Sequence, residues 1–165
     1  MNGDLLAEAE QLLFLEAALL DEQQFERWLE LYVPDCIFWA PAWIEDDRLG
    51  DDPDRFLSHI YYDGRDGLAE RVKRLRAGDS LASSPTPRTM HAISNVRILE
   101  EGRDTMTVAS NAGIDRYELR TRRADRLFAR YTHVLAKRNE GWRIAQKRIV
   151  ILNDLLPGAV DINSV

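Results

Sequence analysis

Arg88 to Asn153 reads RTMHAISNVRILEEGRDTMTVASNAGIDRYELRTRRADRLFARYTHVLAKRNEGWRIAQKRIVILN, and these residues, two-fifths of the 165-residue chain, decide its fold. Four extended segments are marked in them: Thr89 to Leu99, Thr105 to Tyr117, Leu127 to Lys137 and Trp142 to Leu152. Glu101-Gly102-Arg103-Asp104 and Asn139-Glu140-Gly141 have the length and glycine content of antiparallel hairpin connections. A polar, arginine-rich turn, Arg120 to Asp125, joins the middle pair. Each segment exceeds the usual five or six residues of a strand, so one long, strongly curved antiparallel meander is expected.

Strict alternation puts Met90, Ala92, Ser94, Val96 and Ile98 on one face of the first strand, opposite His91, Ile93, Asn95 and Arg97. In the last strand it groups Trp142, Ile144, Gln146, Arg148 and Val150 against Arg143, Ala145, Lys147, Ile149 and Ile151. Neither face is purely polar, whereas a sheet with one wet side alternates cleanly. Both faces are therefore expected to be partly covered, one by the N-terminal half and the other by a partner chain.

That half begins with a helix from Asp4 to Leu20, with Leu5, Ala9, Leu12, Leu13, Ala17 and Leu20 at three- and four-residue spacing. Phe14, Leu15, Ala18 and Leu19 carry apolar surface almost around the cylinder, which implies burial on more than one side. Asp21 with Gln24 reads as a capping pair for a second helix bearing Phe25, Trp28, Leu29 and Tyr32 and stopping before Pro34. Phe14, Phe25, Trp28 and Tyr32 are bulky enough to fill the hollow of the sheet. Cys36 to Ala40 is an apolar strand closed by Pro41, and Trp43 to Arg55 an acidic loop with no calcium-binding spacing. Ser58 to Tyr62 reads as a short strand turned by Asp63-Gly64. A third helix follows over Gly67 to Ala77, capped by Asp66 and stopped at Gly78. Leu68, Val72 and Leu75 form its buried stripe, while Arg71, Lys73, Arg74 and Arg76 read as a solvated basic surface. Ser83 to Pro87 is the loop into the meander.

Composition narrows the chemistry. Hydrophobic content of 45% and charged content of 30% are those of a globular chain, of a length that suits one domain spanning 1–165. A net charge of −6 argues against general nucleic-acid binding. No apolar run reaches bilayer-spanning length, and Asp4, Glu8 and Glu10 do not make the basic start of a signal peptide, so the cytoplasm is the expected location. A single cysteine, Cys36, allows no internal disulfide and no self-contained iron–sulfur cluster. His59, His91 and His133 are widely spaced and form no local ligand pair, so no metal site is expected in this chain. The enzymatic alternative is acid–base chemistry inside the hollow by Asp35 with Tyr32 or His91.

Helices followed by a curved antiparallel sheet define an α+β fold. The order helix, helix, strand, helix, meander resembles the cone-shaped domain of the SnoaL and ketosteroid isomerase superfamily, which hosts both enzymes and assembly modules. Longer stretches carry a narrower resemblance. FLEAALLDEQQFERWLELY, PAWIEDD, IYYDGRDGLAERVKRL, PRTMHAISNVR, SNAGIDRYELR, RYTHVLAKRNEGWRIAQKRIVILND and the tail LLPGAVDINSV are similar to the small (beta) subunit of Rieske-type aromatic-ring-hydroxylating dioxygenases, in the benzoate, toluate and anthranilate branch. Departures include Ala112-Gly113 after Ser110-Asn111, and Phe128-Ala129-Arg130-Tyr131, one residue shorter than the family pattern.

The resemblance implies a non-catalytic structural subunit, with no catalytic, cofactor or metal residue of its own. The large (alpha) subunit of such enzymes holds the Rieske [2Fe–2S] cluster and a mononuclear Fe(II), a reductase brings electrons from NADH, and the two chains assemble as α3β3. On this reading Trp43, Asp46, Asp47, Tyr61 and Tyr62 are candidates for contact with the large subunit. Arg88, His91, Asn95, Arg148 and Asn153 are candidates for a polar network joining strands and subunits. The sequence leaves the aromatic acid unnamed.

Overall fold

The computed structural model describes residues 2–78, 85–156 and 158–165. Its elements are α1 (Asn2–Asp21), α2 (Phe25–Leu29), β1 (Tyr32–Pro41), β2 (Trp43–Glu45), β3 (Arg48–Leu49), β4 (Ser58–Asp63), α3 (Arg65–Ala77), β5 (Arg88–Glu101), β6 (Thr105–Glu118), β7 (Arg123–Arg138), β8 (Gly141–Ile151) and a closing 3-10 turn, Ile162–Ser164. Six strands form one sheet in the order β4-β1-β8-β7-β6-β5. The meander from β5 to β8 is antiparallel throughout, as expected. β1 then pairs in parallel with β8, so the sheet is mixed, and β2 and β3 form a separate small hairpin. The fold is α+β, with helices against one face of the sheet.

Several local expectations change. α2 ends at Leu29, and Tyr32 opens β1 instead of sitting on the helix. The first strand is accordingly twice its expected length and takes in Pro34 and Pro41. Gln24, at the N-cap of α2, makes no capping bond from its side chain, and Asp21 is engaged elsewhere. α3 is preceded by Gly64 at φ +99°, leaving Asp66 inside the first turn. At its other end Gly78 takes the left-handed C-cap expected of it, at φ +68°. The acidic loop contains the β2–β3 hairpin. Of the loop expected over Ser83 to Pro87, Ser83 and Ser84 lie outside the described residues.

Bulges overturn the strict alternation. Between Ser94 and Arg97 the β5 strand spends one residue more than β6, with Asn95 at φ +53°. His91 and Ile93 therefore share the inner face with Val96 and Ile98, not with Asn95 and Arg97. An extra residue in a strand inverts the parity of all that follows. Ala145 does the same in β8, where Leu135 pairs with Ile144 but Val134 with Gln146. Ile144 thus points inward together with Lys147, Ile149 and Ile151.

The concave face holds the core. Phe25, Trp28, Tyr32 and Phe38 are fully buried, with Trp28 and Tyr32 edge-on at 5.0 Å between ring centres. Burying each large apolar side chain is worth about 1.5–3 kcal/mol. Leu12, Leu13, Leu19 and Leu20 of α1 and Leu68, Val72 and Leu75 of α3 complete it. Phe14, expected to help fill the hollow, is instead 41% exposed beside exposed Leu15, so α1 keeps one greasy stripe in the open. The α3 basic residues are largely paired: Arg71 with Asp161, Lys73 with Glu70, Arg76 with Glu26.

Candidate functional site

Inside the hollow, the apolar α1 carries one carboxylate inward. Glu16 lies a helical turn from both Leu12 and Leu20, on the face that packs against the sheet, and is 2% exposed. One of its oxygens accepts hydrogen bonds from Tyr32 Oη at 2.5 Å and Lys147 Nζ at 2.9 Å. The other meets His133 Nε2 at 3.2 Å. Burial pushes this carboxyl up, but Lys147, His133 and Tyr32 together outweigh it and hold it well below the usual range. For His133 burial dominates, lowering its pKa despite Glu16. The ring is therefore neutral, donating from Nε2, and its buried Nδ1 has no partner among the described residues.

A carboxylate held ionised by an ammonium and occupied by three donors is a poor general base. The cluster ties α1, β1, β7 and β8 together. Lys147 also reaches the main-chain oxygen of Val165 at 3.3 Å and lies 4.4 Å above the Tyr131 ring. The tail is folded back to meet it: Ile162 to Val165 are buried, and Asp161 caps their turn while pairing with Arg71.

The acid–base set considered from sequence is not brought together. Asp35 is exposed, Tyr32 is committed to Glu16, and His91 lies on β5, separated from β1 by three strands. His91 instead clamps the end of α1. Its Nδ1 is 2.5 Å from Asp21 Oδ1, its main-chain N–H donates to Oδ2, and Thr89 Oγ1 donates to Oδ1. Burial raises the Asp21 pKa, and the bonds from His91 bring it below the ordinary value. Among the described residues, no group of three or more His, Cys, Asp or Glu side chains is placed to hold a metal ion. Cys36 is buried, and burial pushes its thiol up to about 11.

The opposite face of the sheet is organised differently. One outward row crosses all six strands as Tyr61, Trp39, Arg148, Thr132, Ala109 and Arg97. The next row is Val150, Arg130, Asn111 and Ser94. The Arg148 guanidinium lies 5.3 Å over the Trp39 ring, which meets Tyr61 edge-on at 6.4 Å and donates from Nε1 to Ser58 Oγ. Trp43 Nε1 donates to the Ile151 carbonyl at 2.7 Å, fixing the hairpin at the end of β8. Exposed Asp46 and Asp47 stand at its tip.

The other candidate interface residues scatter. Tyr62 faces inward, against Gly67 of α3, because neighbours in a strand point to opposite faces. Asn153 bonds Phe128 N and Arg126 O, continuing the β7–β8 pairing with its side chain. Asn95 marks the bulge, and Arg88 is exposed at the start of β5. Tyr61 and Arg148 are thus brought together around Trp39, whereas His91, Tyr62 and Asn153 serve contacts within the chain. Sequence reasoning missed Glu16 and Lys147 as a pair, and the one signal for them was a charge at a core-facing position of each element.

A mixed α+β sheet with its hollow plugged by its own helices defines a scaffold more than a vessel for a substrate. The chain belongs to the family described as ring hydroxylating beta subunit, whose profile matches residues 15–158. It is 40% identical to the 2-halobenzoate 1,2-dioxygenase small subunit of Burkholderia cepacia, over 93% of this chain and 92% of that one. It is 37% identical to the toluate 1,2-dioxygenase subunit beta of Pseudomonas putida, over 93% of each. The crystal structure of the benzoate 1,2-dioxygenase beta subunit of Burkholderia mallei superposes with a TM-score of 0.79 at 31% identity, covering 96% of both chains. The chain is thus a non-catalytic subunit of an oxidoreductase complex.

Proposed function

We propose that this chain, acting as a single domain, supports the assembly of a dioxygenase that hydroxylates a benzoate-like aromatic acid. The plugged hollow supports this reading: the Glu16 carboxylate is taken up by Tyr32, His133 and Lys147 of its own chain. The names of the 2-halobenzoate and toluate relatives support the substrate class. The Rieske [2Fe–2S] cluster and mononuclear Fe(II) are assigned to a large subunit, with electrons arriving from NADH through a reductase. A Rieske centre takes two cysteines and two histidines, and this chain has one cysteine. Association as α3β3 in the cytoplasm, where NADH is available, completes the proposal. Of the candidate contacts, the outward-facing Trp43, Asp46, Asp47, Tyr61, Arg88, Asn95 and Arg148 are retained as interface residues, toward the large subunit or another copy of this chain.

Co-expression with a benzoate-type large subunit tests it. The expected result is a co-purifying, iron-containing complex with NADH- and O2-dependent turnover, and an isolated chain that turns over nothing. Separate elution of the two chains, or turnover by the metal-stripped chain alone, overturns it.

A further inference from the structure

The outward sheet face collects arginines without counter-charges. Some guanidiniums of the chain find carboxylates: Arg71 with Asp161, Arg116 with Asp125 and, further along the same outer face, Arg126 with Asp115. The two central rows of the outer face hold Arg97, Arg130 and Arg148 and no carboxylate at all. Among the described residues Arg97 and Arg130 have no ion pair or hydrogen bond from their side chains, and Arg148 is engaged by the Trp39 ring alone. Arg97 and Arg130 also line an open recess of about 660 Å³ with Asn95, Asn111 and Thr132. In a chain of net charge −6 this is a local reversal of sign.

The complementary surplus sits on the β2–β3 hairpin. Glu45 is paired with Arg48, but Asp46 and Asp47 at the tip are exposed and unpaired among the described residues. Both surfaces carry apolar area beside the charge, with Ile44 on the hairpin 37% exposed and Phe128 on the sheet 47% exposed. The hairpin is held at the end of β8 by Trp43 and, among the described residues, makes no ion pair with Arg97, Arg130 or Arg148 of the six-stranded sheet.

We propose that the acidic hairpin tip of one copy seats on the Arg97, Arg130 and Arg148 face of the next. Two different, mutually complementary surfaces on one chain make a head-to-tail contact, which closes into a ring when the rotation permits. The inference rests on the reading that copies of this chain associate in the complex, and adds which surfaces meet. Opposite charge supplies register and encounter rate, and the flanking apolar side chains supply dry contact.

Three variants of the full chain test it, alone and co-expressed with the large subunit: Arg97→Glu/Arg130→Glu, Asp46→Lys/Asp47→Lys, and the four changes together. Sedimentation velocity measures association, and circular dichroism checks folding. Each pair alone is expected to weaken self-association about tenfold, the fourfold exchange to restore it, and high salt to weaken the unmodified chain. Restoration by exchange cannot come from misfolding. Association indifferent to either pair, or a fourfold variant no better than its parents, overturns the inference while leaving copy–copy assembly intact. Loss of the large subunit with self-association unchanged overturns it in favour of that partner. Copies that never associate, even beside the large subunit, sink both the inference and the assembly reading.

Discussion

The two faces of one sheet treat charge in opposite ways. Inside, Glu16, Lys147, His133 and Tyr32 are withdrawn from water and answer one another at hydrogen-bonding distances. Outside, Arg97 and Arg130 stand in water with nothing opposite them. The inner charges can only hold the chain together, because nothing else reaches them. The outer ones contribute almost nothing to the lone chain and are available to something else. Paired and unpaired charge are thus divided between the two sides of the same strands.

The sharpest way to break this contrast is Lys147→Met. It strands the Glu16 charge in the core and should cost about 3–5 kcal/mol in urea unfolding. Glu16→Gln added to it should recover much of that loss, since the amide oxygen still accepts from Tyr32. If Lys147→Met is nearly neutral, the inner face is not the structural one. Asp21→Ala is next, removing the acceptor for both His91 and Thr89 at the end of α1, at about 2 kcal/mol by the same measurement.

Acidity sharpens the comparison further. His133 is held below its ordinary 6.5, so the unfolded chain binds that proton first and stability falls as pH drops below 6.5. The limiting slope is about 1.4 kcal/mol per pH unit for one group. Glu16 acts in the same direction lower down: its contribution is present above 4.5 and is lost as pH falls toward its depressed folded value. In unfolding series, His133→Gln should flatten the upper part of this dependence and leave the lower part. The smallest effect belongs outside. Arg130→Ala should change the stability of the isolated chain by less than about 0.5 kcal/mol, a cost far below any inner-face change.

The sequence showed the meander, its hairpins and the order of the helices because each rests on local chemistry. Gly102, Gly141 and the apolar runs announce themselves within a few residues. What was hidden depends on a single residue or on long separation. Asn95 and Ala145 each add one residue to a strand, and a two-residue period carries no mark of where it is interrupted. Glu16 and Lys147 lie 131 residues apart, and a charge at a core-facing position of either element does not name its partner. Phe14 misled in the other direction, since an aromatic in an apolar helix suggests core whichever way it turns. The row through Tyr61, Trp39 and Arg148 needed the parallel pairing of β1 with β8, which no turn signal encodes.

Cys36 has a consequence for durability. Peroxide attacks the thiolate, and a sulfur with a pKa near 11 presents that form in only about one molecule in ten thousand at neutral pH. Its side chain is also shut away from solvent. The lone cysteine is thus a poor target for stray oxidants, leaving exposed Met90 the softer one, and a cysteine introduced on the arginine-bearing surface would carry a fluorescent label with little background.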